Sequence, residues 1–274
     1  MAGSRLIRSP ALSVAASPVR SVADHPFSAA FSDVPATVAN LVLWLRADQD
    51  VTLSGSNVTS WKSLEGNSYD FSQTTASKQP TYLASSSIGS KPALSFDGGD
   101  LLVHSAASLV STAGTLFIVA RMSSTGGGFP VMFSSSDEAT GNYFCTFYSY
   151  GNATHNRMGF SQRNNDTEDA LRGSTVTAIN TNYIFGYSTN GTTTAMELNG
   201  TTQTVSPFGG GNNGDWLGDT DNRDNTVVGC RKITGEFNFF LGQVAEVIAY
   251  SSDLSDGDKT TVRDYLSDRY SIAV

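Results

Sequence analysis

From Leu41 onward the sequence is a succession of short apolar or alternating runs, each about the length of one strand and separated by Gly, Ser and Asn. That pattern admits an antiparallel β architecture and little else. LVLWLRAD opens it as an apolar run ending in charge, Ser54-Gly55-Ser56-Asn57 follows as a turn, and VTSW is the next strand. KPALSFDGGDLLV alternates around a turn at Gly98-Gly99, and TLFIVARM is apolar almost throughout, as a central strand covered on both faces should be. Further strands are expected at NYFCTFYSY, RMGFSQ, NYIFGYST, TAMELNG and FLGQVAEVIAY. Asn190-Gly191 and Asn199-Gly200 mark hairpin turns. One helix closes the chain: Ser255 and Asp258 form a capping box, and Val262, Tyr265, Leu266 and Tyr270 recur at helical spacing.

Composition agrees. Charged residues are only 15% of the 274, while 26 glycines supply turns, and 39% hydrophobic residues are enough for a sizeable core. The net charge of −8 repels phosphate backbones and anionic lipid, which argues against nucleic-acid partners and against membrane insertion. No run reaches the roughly 18 apolar residues that span a bilayer. Cys145 and Cys230 stand far apart with no paired-cysteine motif, so two buried free thiols are expected.

Residues 1–40 differ from the rest. Pro10, Pro18, Pro26 and Pro35 recur too closely for a long helix, yet Leu6, Ile7, Leu12, Val14, Val19, Phe27 and Phe31 are more apolar than a solvated linker needs. Arginines are present, but no continuous apolar stretch of signal-peptide type follows them. We expect an extended arm over 1–40 that docks on a neighbouring chain, and a sandwich domain over 41–274.

The order of motifs resembles the laminin-G-like jelly-roll domains of the concanavalin A-like lectin and glucanase superfamily. The resemblance is carried by LVLWLRADQDVTLSGSNVTSW, Gly66-Asn67, Gln79-Pro80-Thr81, KPALSFDGGDLL and the closing FLGQVAEVIAYSSDLSDGDKTTVRDYLSDRY. It implies an all-β, two-sheet sandwich with one C-terminal helix. After Trp61 the sequence departs from the family, reading Lys62-Ser63-Leu64-Glu65, and the stretch from Ser123 to Arg172 matches only loosely. Such domains are common in bacteriophage structural proteins and bacterial surface proteins. With the arm, this leads to the expectation of a non-enzymatic virion surface protein, either a head decoration or part of a tail fibre. It would be anchored to other virion proteins through residues 1–40 and oligomeric in the assembly. The alternative is a glycan-binding module of a secreted or surface-attached bacterial protein.

Candidate chemistry is sparse. A glycosidase needs two carboxylates flanking the scissile bond. Strand alternation groups Glu236 with Asn238 and Phe240, and Glu246 with Val244 and Ile248, so neither glutamate gains a carboxylate partner. Asp166, Glu168 and Asp169 cluster in a loop-like context, and no GxSxG or histidine constellation is present. The loop GGGNNGDWLGDTDNRDN is richer. Asp219, Asp221 and Asp224 are oxygen ligands at near-alternating positions in a glycine-rich loop, a pattern that suits calcium. Trp216 beside Asp215 is a candidate sugar-stacking platform, with Tyr148, Tyr150 and Asn152 as a second one.

Overall fold

In a computed structural model of the chain, the described residues are 34–66, 69–124, 128–152, 155–165 and 168–274. A continuous antiparallel ladder folds back on itself into two layers. In the first layer Leu241–Tyr250 pairs on one side with Gly114–Met122 and on the other with Leu41–Arg46 and Ala93–Asp97. Asn182–Thr189 and Thr194–Leu198 extend this layer beyond Gly114–Met122. In the second layer the order is Leu102–His104, Asn225–Val228, Val131–Ser136, Tyr143–Asn152, His155–Asn164, Asp169–Arg172 and Ser206–Gly209. Thr81–Leu83 and Asn57–Lys62 carry the ladder from one layer to the other. This is the two-sheet jelly roll with a C-terminal helix that the strand pattern leads one to expect.

The period of two explains the layering. Along TLFIVARM, Leu116, Ile118 and Ala120 enter the core between the layers, while Phe117 and Val119 enter a separate cluster on the opposite face. That outer cluster is closed by α2 (Asp256–Tyr270), whose Val262, Tyr265, Leu266 and Tyr270 are all buried. The helix starts where its capping box predicts: the Asp258 amide donates to Ser255 Oγ at 3.2 Å, and Ser255 Oγ donates to Asp258 Oδ2 at 2.7 Å. At the Leu198–Thr201 hairpin, Asn199 and Gly200 both take positive φ, 46° and 73°, as a primed two-residue turn requires.

The boundary at residue 40 lies inside packed structure. The short helix Val34–Thr37, here α1, buries Pro35, Val38 joins the cluster beneath α2, and Tyr250 Oη donates to the Pro35 carbonyl at 3.0 Å. The sandwich therefore begins by Val34. Residues 1–33 of the expected arm lie outside the described residues.

A polar network pins α2 to the sheet. The register of Leu241–Tyr250 against Gly114–Met122 shifts between Val244 and Glu246. This bulge at Ala245 leaves Val244 in the inter-layer core but turns Glu246 and Ile248 toward the helix. Uninterrupted alternation would have kept all three on one face. Glu246, fully buried, accepts from Trp44 Nε1 at 2.6 Å and Tyr265 Oη at 2.9 Å on one oxygen, and from Tyr270 Oη at 2.7 Å on the other. Arg269 approaches it at 3.5 Å and also pairs with Asp48 at 2.5 Å.

Candidate functional site

The proposed aromatic platform at Trp216 does not exist as one. Trp216 is 1% exposed and sits in the inter-layer core, edge-on to Phe147 with ring centroids 5.1 Å apart and stacked on Phe160 at 6.1 Å. Its loop folds inward because the Trp216 amide donates to Asp219 Oδ2 at 2.9 Å, closing a short turn that buries the indole and Leu217 together. Asp215 is half-buried beside it.

Nor do Asp219, Asp221 and Asp224 converge, and among the described residues no three metal-ligating side chains do so. Each carboxylate is held by its own partner: Asp219 by the Trp216 amide, Asp221 by Asn164 Nδ2 at 3.3 Å, and Asp224 by the Glu138 amide at 3.0 Å. The cation in this loop is Arg223, which donates to the Thr220 and Ser108 carbonyls and to Ser135 Oγ.

The glutamates weighed for hydrolysis are committed to structure. Glu236 is bonded to Lys78 at 2.7 Å, and Glu246 lies under α2. Cys145 and Cys230 are buried free thiols, as expected, and burial pushes both thiol pKa values up.

A groove lies elsewhere, on the outer face of the second layer. Along Tyr143–Asn152, Cys145 and Phe147 point into the core, so Phe144, Thr146 and Tyr148 point outward. Their register partners on the next strand are Arg163, Ser161 and Gly159. The Tyr148 ring lies across Gly159, where an added Cβ would fall 2.3 Å from the ring. Thr146 and Ser161 share a hydrogen bond of 2.9 Å on the floor. The resulting space, about 320 Å³, is bounded by Phe129 and Phe208 as apolar walls and by Glu168, Arg231 and Asn238 as polar ones.

Phe129 and Phe208 are 37% and 38% exposed, and their rings are nearly parallel at 5° with centroids 6.3 Å apart. Tyr148 meets Phe129 edge-on at 5.4 Å, and the Arg172 guanidinium lies 5.7 Å from the Phe208 ring centre. Arg231 stacks on Phe144 at 4.4 Å. Burial lowers the Arg231 pKa, against the pull of neighbouring Glu168.

Of the residues proposed from sequence, Tyr148 alone is placed in this groove with a described side chain. Tyr150 and Asn152 end the same strand, but their side chains lie outside the described residues. Sequence reasoning missed Phe129, Phe208, Arg231 and the fit of Glu168 among them. The available signal was the alternation in NYFCTFYSY, which assigns Phe144, Thr146 and Tyr148 together to the face opposite Cys145 and Phe147.

No protein-family model and no curated protein matches the chain. Solved structures do match. Trypanosoma rangeli sialidase, solved in complex with 2,3-difluorosialic acid, is 14% identical with a TM-score of 0.57 over 84% of this chain, which spans 33% of the sialidase. Domain 4 of AbnA, a GH43 extracellular arabinanase from Geobacillus stearothermophilus in complex with arabinotriose, is 11% identical with a TM-score of 0.54, covering 84% of this chain and 98% of that domain. At such identities the likeness establishes the fold alone, a two-sheet jelly-roll sandwich.

Proposed function

We propose that this chain is a non-catalytic glycan-binding jelly roll, with its ligand site in the groove between Phe129 and Phe208. The observation that carries this is the pair of parallel, half-exposed phenyl rings beside a cluster of polar groups. A sugar offers an apolar C–H face to such rings, and its hydroxyls take the polar groups that fix orientation. The arabinanase domain of the same fold was solved with arabinotriose, a ligand of this class. Against catalysis stands the groove's carboxylate inventory: Glu168 is its one acidic side chain among the described residues, where retaining or inverting hydrolysis uses two, about 5–10 Å apart.

The wider setting we propose is the surface of a bacteriophage particle, with the proline-spaced apolar segment ahead of Val34 as the anchoring arm. The support is the composition of that segment together with a sandwich that presents its groove on an outer face.

The experiment is a screen of the whole chain against immobilised neutral and acidic glycans, followed by calorimetry on the hits. Phe129→Ala with Phe208→Ala should lower affinity at least tenfold, about 1.4 kcal/mol, while the protein keeps a cooperative thermal transition with a modestly lower midpoint, since both rings are partly buried against each other, Tyr148 and Arg172. Full binding by the double variant would refute the site.

A further inference from the structure

The Nε of Arg231 is shielded from solvent and has no hydrogen-bond partner among the described residues. A guanidinium in that condition is costly, since burying a cation without a hydrogen-bonded partner is unfavourable. Packing keeps it there: the flat face rests on Phe144, which leaves the donor edge as the part that remains to be satisfied.

The surroundings reinforce one sign. Arg163 is the register partner of Phe144 on the same outer face, and Arg172 is the partner of Gly159, beside the Phe208 wall. Arg231 and Glu168 are the charged side chains that line the groove, with Arg172 beside its Phe208 wall, on a molecule whose net charge is −8. A groove built for neutral sugar alone would need hydroxyl and amide groups. It would not need a partly buried guanidinium whose planar fork matches a carboxylate bidentately.

We infer that the groove selects glycans bearing a carboxylate, the uronic acid class, with Arg231 receiving the carboxylate while Phe129 and Phe208 take a sugar face. This rests on the glycan-binding reading above and specifies its ligand. Glu168, on the same rim, is left to accept from ring hydroxyls.

The test varies the ligand before the protein. Oligogalacturonate, oligoalginate and carboxyl-reduced oligogalacturonate are titrated into the full chain. The reduced oligosaccharide keeps the linkage and the hydroxyl pattern and loses only the charge. We expect the native uronate to bind at least tenfold more tightly than its reduced form, with the advantage shrinking as salt rises from 50 to 300 mM, a range set by the screening of partly exposed charges. Arg231→Gln should bring both forms to the same weak affinity, and Arg231→Lys should restore only part of the difference, since it keeps charge but not the fork. Equal binding of native and reduced forms overturns the carboxylate assignment and leaves the groove as a neutral-sugar site. A preference that survives in Arg231→Gln overturns the role of Arg231. Absence of binding to any glycan in the screen overturns the site itself. The ligand arm holds even if an Arg231 variant fails to fold.

Discussion

Removing the Glu246 carboxylate should be among the most destabilising single changes in the molecule. The side chain is fully buried and accepts three hydrogen bonds of 2.6, 2.9 and 2.7 Å from Trp44, Tyr265 and Tyr270, with Arg269 at 3.5 Å. Glu246→Ala leaves the Trp44 and Tyr265 donors without this acceptor and Tyr270 Oη with only the Ala245 carbonyl at 3.5 Å, at about 1–3 kcal/mol for each orphaned donor when the site cannot relax. It also leaves Arg269 with Asp48 as its remaining ionic partner. Breaking a buried ion pair from one side costs about 3–5 kcal/mol. These effects overlap, so we expect a total near 4–5 kcal/mol, a large part of the about 5–15 kcal/mol that separates folded from unfolded states. The melting temperature should drop by about 10 °C or more.

Glu246→Gln should cost about half as much. Its amide oxygen still accepts from Trp44 and Tyr265, the Tyr270 hydroxyl can rotate to accept from the new NH₂, and only the ionic contact is lost. Urea unfolding followed by tryptophan fluorescence measures both variants, with an unchanged denaturant slope securing the comparison. A loss below about 1 kcal/mol for the alanine variant, set against the desolvation cost of the orphaned donors, would refute the claim that this network holds α2 to the sheet. Equal losses in the two variants would refute the claim that the orphaned donors dominate.

Two further outcomes follow from the same structure. Asp100, 4% exposed and accepting from the Asp97 amide at 2.9 Å, has its pKa raised to about 6, chiefly by burial, with the Asp97 carboxylate adding to the rise. A folded state that holds this proton more tightly than the unfolded chain gains stability that is full below about pH 4 and is lost as pH rises toward 6. Asp100→Asn should flatten that part of the stability profile relative to the parent protein, and a parallel profile would contradict it. Trp216→Ala should cost about 3–5 kcal/mol by opening a core cavity, measured by urea unfolding; a change within the about 0.5 kcal/mol typical of surface positions would put the indole back on the surface.

The sandwich was legible because its signals are local. Turn residues at Gly98-Gly99, Asn190-Gly191 and Asn199-Gly200, the doubly apolar TLFIVARM and the Ser255 capping box each act over a few residues, and the ladder forms around them. The site was not legible, because its parts belong to distant turns and strands. Phe129 precedes one strand, Glu168 another, Phe208 lies on the edge strand Ser206–Gly209, and Arg231 follows Asn225–Val228. Only the fold makes them neighbours. Trp216 shows the converse failure: a tryptophan among glycines and aspartates reads as exposed. Yet the hydrogen bond from its own amide to Asp219 closes the loop inward and delivers the ring to Phe147 and Phe160.

Glu246 shows how a single inserted residue defeats a periodic argument. Strict alternation from Val244 would place the carboxylate in the inter-layer core, where nothing could satisfy it. The bulge at Ala245 moves it one step out of phase, into reach of Trp44, Tyr265, Tyr270 and Arg269, which come from the first strand and the last helix. A bulge leaves little trace in composition, since Ala245 is as acceptable in a regular strand as in an irregular one. The buried carboxylate is itself the trace: a lone glutamate in the apolar run VAEVIAY demands donors, and the run has none of its own except Tyr250, which is turned to Pro35. The demand is met by the C-terminal helix, whose two tyrosines and arginine recur on one face at spacings of four and five residues, Tyr265, Arg269 and Tyr270. Sequence thus contains both halves of the network, and what it lacks is the half-turn of strand that brings them together.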